Sequence, residues 1–275
     1  FCWSSTKPSS RCQRVSHSLL FCTGGFAPSS KRIQHHHLLL RTAAASNADE
    51  LVPLKRGSSV AIVTPFLDNG RVDEASLRQL LDYHVQSKTD NLCILGTTGE
   101  ASTLSMKERE QVLKVAVDQV KGQLPILVGT GTINPNIVKE YTMQARDLGC
   151  DAALVVTPYY VKPPQRCLIA HYESLQNLLF PTVVYNVPGR TAVDMTDKSI
   201  AIVAAMDHMV GVKDATGKVE RVALLKSELE QQNVDDFLLY SGDDATSMEY
   251  CLKGGDGCIS VTANVAANEM HRLME

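Results

Sequence analysis

Eight short apolar runs, separated by longer segments of helical periodicity, constrain this 275-residue chain more than any other feature. The runs fall at 59–66, 91–95, 125–129, 152–157, 182–185, 209–213, 237–240 and 257–261. Between them, 74–86, 107–120, 136–148, 166–179, 197–206, 219–229 and 245–252 carry apolar residues at the spacing of one helix face. Strict alternation at intervals of roughly 30 residues implies right-handed βαβ units and a parallel sheet. Eight units are the number that closes a (β/α)8 TIM barrel. The competing architecture is a doubly wound open sheet. It usually has fewer strands and a glycine-rich dinucleotide turn after the first, but here the first run leads into Thr64-Pro65-Phe66-Leu67-Asp68-Asn69-Gly70. No Pro/Ser-rich linker or charge block interrupts the runs, so residues 57–275 are read as one barrel domain. Because Glu275 falls inside the helix after the eighth run, the barrel is expected to be incomplete at its C-terminus, with a helical extension missing.

The first 48 residues are different in kind. They contain no Asp or Glu and six Lys or Arg (Lys7, Arg11, Arg14, Lys31, Arg32, Arg41) among many serines, the composition of a disordered targeting leader. Gly25-Phe26-Ala27-Pro28 resembles the Phe-centred cleavage motif of plastid precursors, so plastid import is expected, with a mitochondrial presequence as the alternative. The chain opens on Phe1, so a further N-terminal piece is expected. Net charge is only −3, which argues against a nucleic-acid partner, and no apolar run approaches the ~20 residues of a membrane span. Cys93 and Cys258 lie inside apolar runs, where a buried reduced thiol is the ordinary expectation.

In a barrel of this kind chemistry lies at the carboxyl ends of the strands. The sixth run, Met209 to Lys213, ends in a lysine. It could be a strand-end ammonium reaching solvent. Alternatively, a lysine held in a low-dielectric pocket sheds its proton more readily and can attack a carbonyl to form a Schiff base. The other strand ends decide between the two. After the second run comes Gly96-Thr97-Thr98-Gly99-Glu100, either an ordinary glycine turn or a set of amides and hydroxyls converging on a carboxylate. The fourth run ends in Thr157-Pro158-Tyr159-Tyr160, where one phenol can face the pore while the other packs. The fifth ends in Tyr185, with Arg190 five residues on across a Pro-Gly turn, a guanidinium suited to bidentate capture of a carboxylate. Asp243 and Asp244, after the seventh run, are expected to cap the next helix. An amine, phenols, threonines and an arginine on one face form the set that Schiff-base chemistry needs. No His- or Cys-rich cluster stands there, so neither a metal nor any other cofactor is expected.

With these residues in view, a resemblance is specific. GTTGE at 96–100, TPYY at 157–160, YNVPGRT at 185–191, GVKDATG at 211–217, SGDD at 241–244 and GCISVTANV at 257–265 resemble the dihydrodipicolinate synthase branch of the class I pyruvate aldolases. The resemblance implies condensation of pyruvate with L-aspartate-4-semialdehyde on the diaminopimelate route to lysine. It further implies that Lys213 forms the pyruvate Schiff base and that Thr98, Tyr160 and Tyr185 make a proton relay. Thr97 and Thr98 would hold the pyruvate carboxylate, Arg190 that of the semialdehyde, and backbone near Gly242 and Ile259 would shape the pocket. Tyr160 would reach into a neighbouring subunit, implying a homo-oligomer of two or four copies. Sibling aldolases of N-acetylneuraminate or 2-keto-3-deoxy sugar acids generally lack an arginine matching Arg190, which favours the synthase over them. A barrel kept only as a binding protein is the rival outside enzymes, and it predicts the loss of a site residue, whereas none is substituted here. Family members inhibited by lysine carry His or Trp, Asn and Glu in an interfacial cleft. Met106, Ile133 and Ile137 match those positions here, with Asn134 one place off, so lysine inhibition is expected to be weak or absent. The missing carboxylate at Ile137 would cost about 2–4 kcal/mol of effector binding.

Overall fold

The computed structural model describes residues 51–275, and the expected leader at 1–48 lies outside the described residues. Eight parallel strands follow one another around a closed barrel: β1 (Gly57–Ala61), β2 (Asn91–Ile94), β3 (Ile126–Gly129), β4 (Ala152–Val156), β5 (Thr182–Asn186), β6 (Met209–Asp214), β7 (Leu238–Ser241) and β8 (Gly257–Ser260). The helices α1 (Glu74–Gln86), α2 (Met106–Val120), α3 (Pro135–Asp147), α4 (Gln165–Glu173), α5 (Pro188–Thr191), α6 (Asp197–Ala204), α7 (Arg221–Gln231), α8 (Ser247–Leu252) and α9 (Ala267–Met274) connect and follow them. The (β/α)8 barrel expected from the alternation is the fold observed.

The strands read as continuous apolar runs because both of their faces are buried. One face, with Ala61, Leu127, Leu154, Val183 and Ile259, fills the barrel interior. The other, with Val60, Leu92, Val128, Val184 and Val212, packs under the helices. Closure between β1 and β8 needs glycine on both sides. A Cβ on Gly257 would lie 2.0 Å from the carbonyl oxygen of Gly57, whose own φ of +111° favours a residue without a side chain.

Local signals set several helix starts. Ser105 and Glu108 form the reciprocal capping box at α2, and Asn134 accepts from the Asn136 amide ahead of Pro135 at α3. Two boundaries and one cap depart most from the sequence expectation. The first strand stops at Ala61 rather than 66, because its pairing with β2 ends at Ala61 opposite Cys93, and Pro65, which has no N–H, follows soon after. The helix expected over 166–179 ends at Glu173, and a 3-10 turn (Gln176–Leu178) leads to Leu179 in a left-handed conformation. Asp244 does not cap α8. Its carboxylate accepts from the Val261 and Thr262 amides and the Thr262 hydroxyl, tying the loop after β7 to the one after β8.

His84 and His171 are buried, and burial pulls each pKa down to about 4; for His171 the Lys139 charge adds to this. Between about pH 4 and 6.5 the unfolded chain therefore binds more protons than the folded one, and stability falls as pH drops through that window. By pH 5 each histidine is expected to have cost about 2 kcal/mol relative to pH 7.5. Denaturant unfolding at the two pH values checks this, and equal midpoints would refute it.

Candidate active site

Lys213 sits one residue from the end of β6 and is only 5% exposed. Its register partner on β5 is Tyr185, and its Nζ lies 4.8 Å from the centre of that ring. On the β7 side its partner is Tyr240, and two residues beyond comes Gly242, where a Cβ would stand 2.9 Å from the Lys213 Cε. The lysine is thus aimed by strand register and given room by a glycine. Burial pushes the Cys93 and Cys258 thiols up despite the opposing pull of the Lys213 charge, so both stay protonated and read as packing groups, as expected.

A cavity of about 380 Å³ opens at the carboxyl ends of the strands, with Thr97, Tyr185 and Arg190 on its wall; Lys213 is not itself on that wall and adjoins it through Tyr185. Arg190 comes from α5, a single helical turn where the sequence implied a plain Pro-Gly turn, and it is exposed at the rim. Of the paired threonines, Thr97 lines the cavity while the half-buried Thr98 is not part of that wall. The two tyrosines after β4 are also divided. Tyr159 lines the cavity with its hydroxyl 3.5 Å from that of Thr132, whereas Tyr160 has a φ of +68° and is 84% exposed. The structure therefore joins Lys213 to Tyr185 and Gly242, and sets Tyr185, Thr97 and Arg190 on one cavity wall that includes neither Thr98 nor the outward Tyr160. Ile259 is buried in the barrel interior.

Arg109 is among the cavity residues that the sequence did not single out. Arg109 of α2 is 1% exposed, with its guanidinium 3.9 Å from the centre of the Tyr141 ring. Its Nη2 donates to the Gly129 carbonyl at 2.7 Å, its Nε meets no acceptor, and burial pulls its pKa down to about 10. A signal for it existed: Arg109 shares the core face of α2 with Val112, Leu113, Ala116 and Val120, at a position where periodicity calls for an apolar residue.

Among the described residues, no group of three or more His, Cys, Asp or Glu side chains converges as a metal site would require, and no helix is long and apolar enough to cross a membrane. Fold and site together define a (β/α)8-barrel protein with a sheltered amine at the carboxyl face of its strands. Comparison with known proteins specifies it further. A model of the dihydrodipicolinate synthetase family matches residues 54–275. A 4-hydroxy-tetrahydrodipicolinate synthase of Thioalkalivibrio sulfidiphilus is 46% identical over 80% of this chain and 74% of that protein. The crystal structure of a chloride-inhibited dihydrodipicolinate synthase from Acinetobacter baumannii, complexed with pyruvate, is 45% identical with a TM-score of 0.76, covering 80% of this chain and 74% of that one. A structure described as the first monomeric dihydrodipicolinate synthase variant is 38% identical with a TM-score of 0.77 over the same shares. The chain belongs to the dihydrodipicolinate synthetase family.

Proposed function

We propose that this protein is a Schiff-base-forming lyase that condenses pyruvate with L-aspartate-4-semialdehyde to 4-hydroxy-tetrahydrodipicolinate, the entry to diaminopimelate and lysine. The observation that carries this is Lys213, buried at a strand end against Tyr185 within a chain of this family. The Lys213 amine adds to the keto carbon of pyruvate, and the carbinolamine loses one water to give an imine. Loss of a methyl proton yields the enamine, whose carbon attacks the aldehyde and forms the new C–C bond. The amino group of the semialdehyde then displaces Lys213 from the imine carbon, closing the ring and freeing the lysine.

The closeness of the Tyr185 ring, 4.8 Å from Lys213 Nζ, supports a role for its phenol in proton transfer during imine formation, a role worth about 10²–10⁴-fold. Thr97, on the cavity wall, supports a hydroxyl contribution to the relay and to the pyruvate carboxylate better than Thr98 does. Arg190 at the rim suits the carboxylate of the semialdehyde. The outward Tyr160 supports a relay completed in a neighbouring copy, hence a dimer or tetramer, although a related variant is described as monomeric. Asn134 is engaged as a helix cap, which supports weak or absent lysine inhibition. The basic, acid-free leader supports plastid import, with the mitochondrion as the alternative.

Borohydride reduction with pyruvate, followed by peptide mass spectrometry, tests the mechanism. A pyruvate-derived adduct on the Lys213 peptide is expected, and its absence from the folded protein would overturn the aldolase reading. Product formation with the semialdehyde, but not with N-acetylmannosamine or glyceraldehyde, would fix the acceptor. Turnover of either sugar-derived aldehyde instead would assign a sibling aldolase.

A further inference from the structure

Two residues next to the reacting groups carry no role in the chemistry. Asn186 follows Tyr185 on β5, Asp214 follows Lys213 on β6, and the two face each other in register. Asn186 donates from Nδ2 to the Asp194 carboxylate at 2.9 Å and accepts from the Met195 amide at 3.0 Å. The segment between α5 and α6 is thereby pinned to the end of β5. From the far side Arg221, whose side chain is 8% exposed, completes the hold. Its Nη1 donates to Asp194 at 2.7 Å, its Nε and Nη2 to Asp197 at 2.9 and 2.7 Å, and its Nη2 also to the Met195 carbonyl at 2.7 Å. Its approach to Asp214 is looser, with Nε 3.7 Å from Oδ2.

Arg190 lies four residues before Asp194, on α5, which ends in Ala192 at a φ of +56°. The Thr191 hydroxyl folds back onto the Val187 and Val193 carbonyls. The turn bearing Arg190 is therefore fixed at one end by the tip of β5 and at the other by Arg221. A rim arginine on a free loop would lose conformational entropy on binding, and a loop held from beneath presents it already placed.

We infer that Arg221 is a positioning residue that acts through the Asp194–Asp197 segment to place Arg190 for the carboxylate of the aldehyde substrate. This rests on the proposed condensation. The tight contacts all lie on the Arg190 side and the loose one on the Lys213 side, so the acceptor substrate is the one affected. The test uses the full chain with Arg221→Lys, and with Asp194→Asn as a second variant at a partly exposed position should the first not fold. The KM for the semialdehyde is expected to rise about tenfold, the scale of one charge-assisted hydrogen bond, with the KM for pyruvate and borohydride trapping on Lys213 within about twofold of the parent. Combining either variant with Arg190→Gln is expected to add nothing to the rise that Arg190→Gln causes alone. Equal losses for both substrates, or additive effects with Arg190→Gln, would overturn the inference. Failure of the unaltered protein to trap pyruvate would instead remove the proposed reaction itself.

Discussion

Lys213→Met is expected to lower turnover by about 10⁴- to 10⁶-fold, the scale seen when a covalent nucleophile is removed, and to abolish borohydride trapping of pyruvate. Methionine keeps the length and most of the volume of the side chain, so the packing beside Tyr185 is preserved. Stability should move the other way. An amine held at 5% exposure is a polar group withdrawn from water, and its replacement by a thioether removes that desolvation cost. The melting temperature of the variant is therefore expected to match or exceed that of the parent. A variant that retains more than about a hundredth of parental turnover would show that the amine is not the nucleophile. A variant inactive only because it is unfolded would be recognised from its melting curve.

The second large effect is expected at a residue with no side chain. In Gly242→Ala the new methyl would lie 2.9 Å from Lys213 Cε, 3.1 Å from its Cγ and 2.8 Å from Ala215 Cβ. Those atoms must give way. Ala215 is held through its amide, which donates to the Asn186 carbonyl at 2.9 Å, and Gly242 through its own, which donates to Asp214 at 2.7 Å. The flexible partner is the lysine stem, so the strain is expressed as displacement of the amine. A shift of about 1 Å in a reacting group can cost about 10²-fold, and a loss of that order in kcat is expected, with about 1–3 kcal/mol of destabilisation from overpacking. Parental kcat in Gly242→Ala would mean that the lysine has slack in its seat and that Gly242 serves only the turn.

Periodicity is a local property, and what depends on it was readable from the chain alone. Apolar runs buried on both faces alternate with amphipathic helices, which sufficed for eight strands, a closed barrel and the strand ends that carry Lys213, Tyr185, Thr97 and Arg190. The capping box at Ser105 was readable for the same reason, since its partners lie three residues apart. Tertiary structure decided which member of each adjacent pair meets the cavity. After a strand ends, the facing of successive residues no longer alternates but follows the backbone of the turn: Tyr159 stays on the cavity, while the positive φ at Tyr160 goes with a phenol turned outward, and Thr97 rather than Thr98 lines the wall. Choice of partner was likewise beyond local reading. Asp244 precedes a helix yet binds amides 17 and 18 residues away, and Arg109 occupies a core position because barrel closure sets the Gly129 carbonyl and the Tyr141 ring where a guanidinium can reach both. Arg221 gathers its carboxylates from 24 and 27 residues upstream. No spacing rule links such positions; the closed barrel brings them together because parallel strands in register align the loops that follow them.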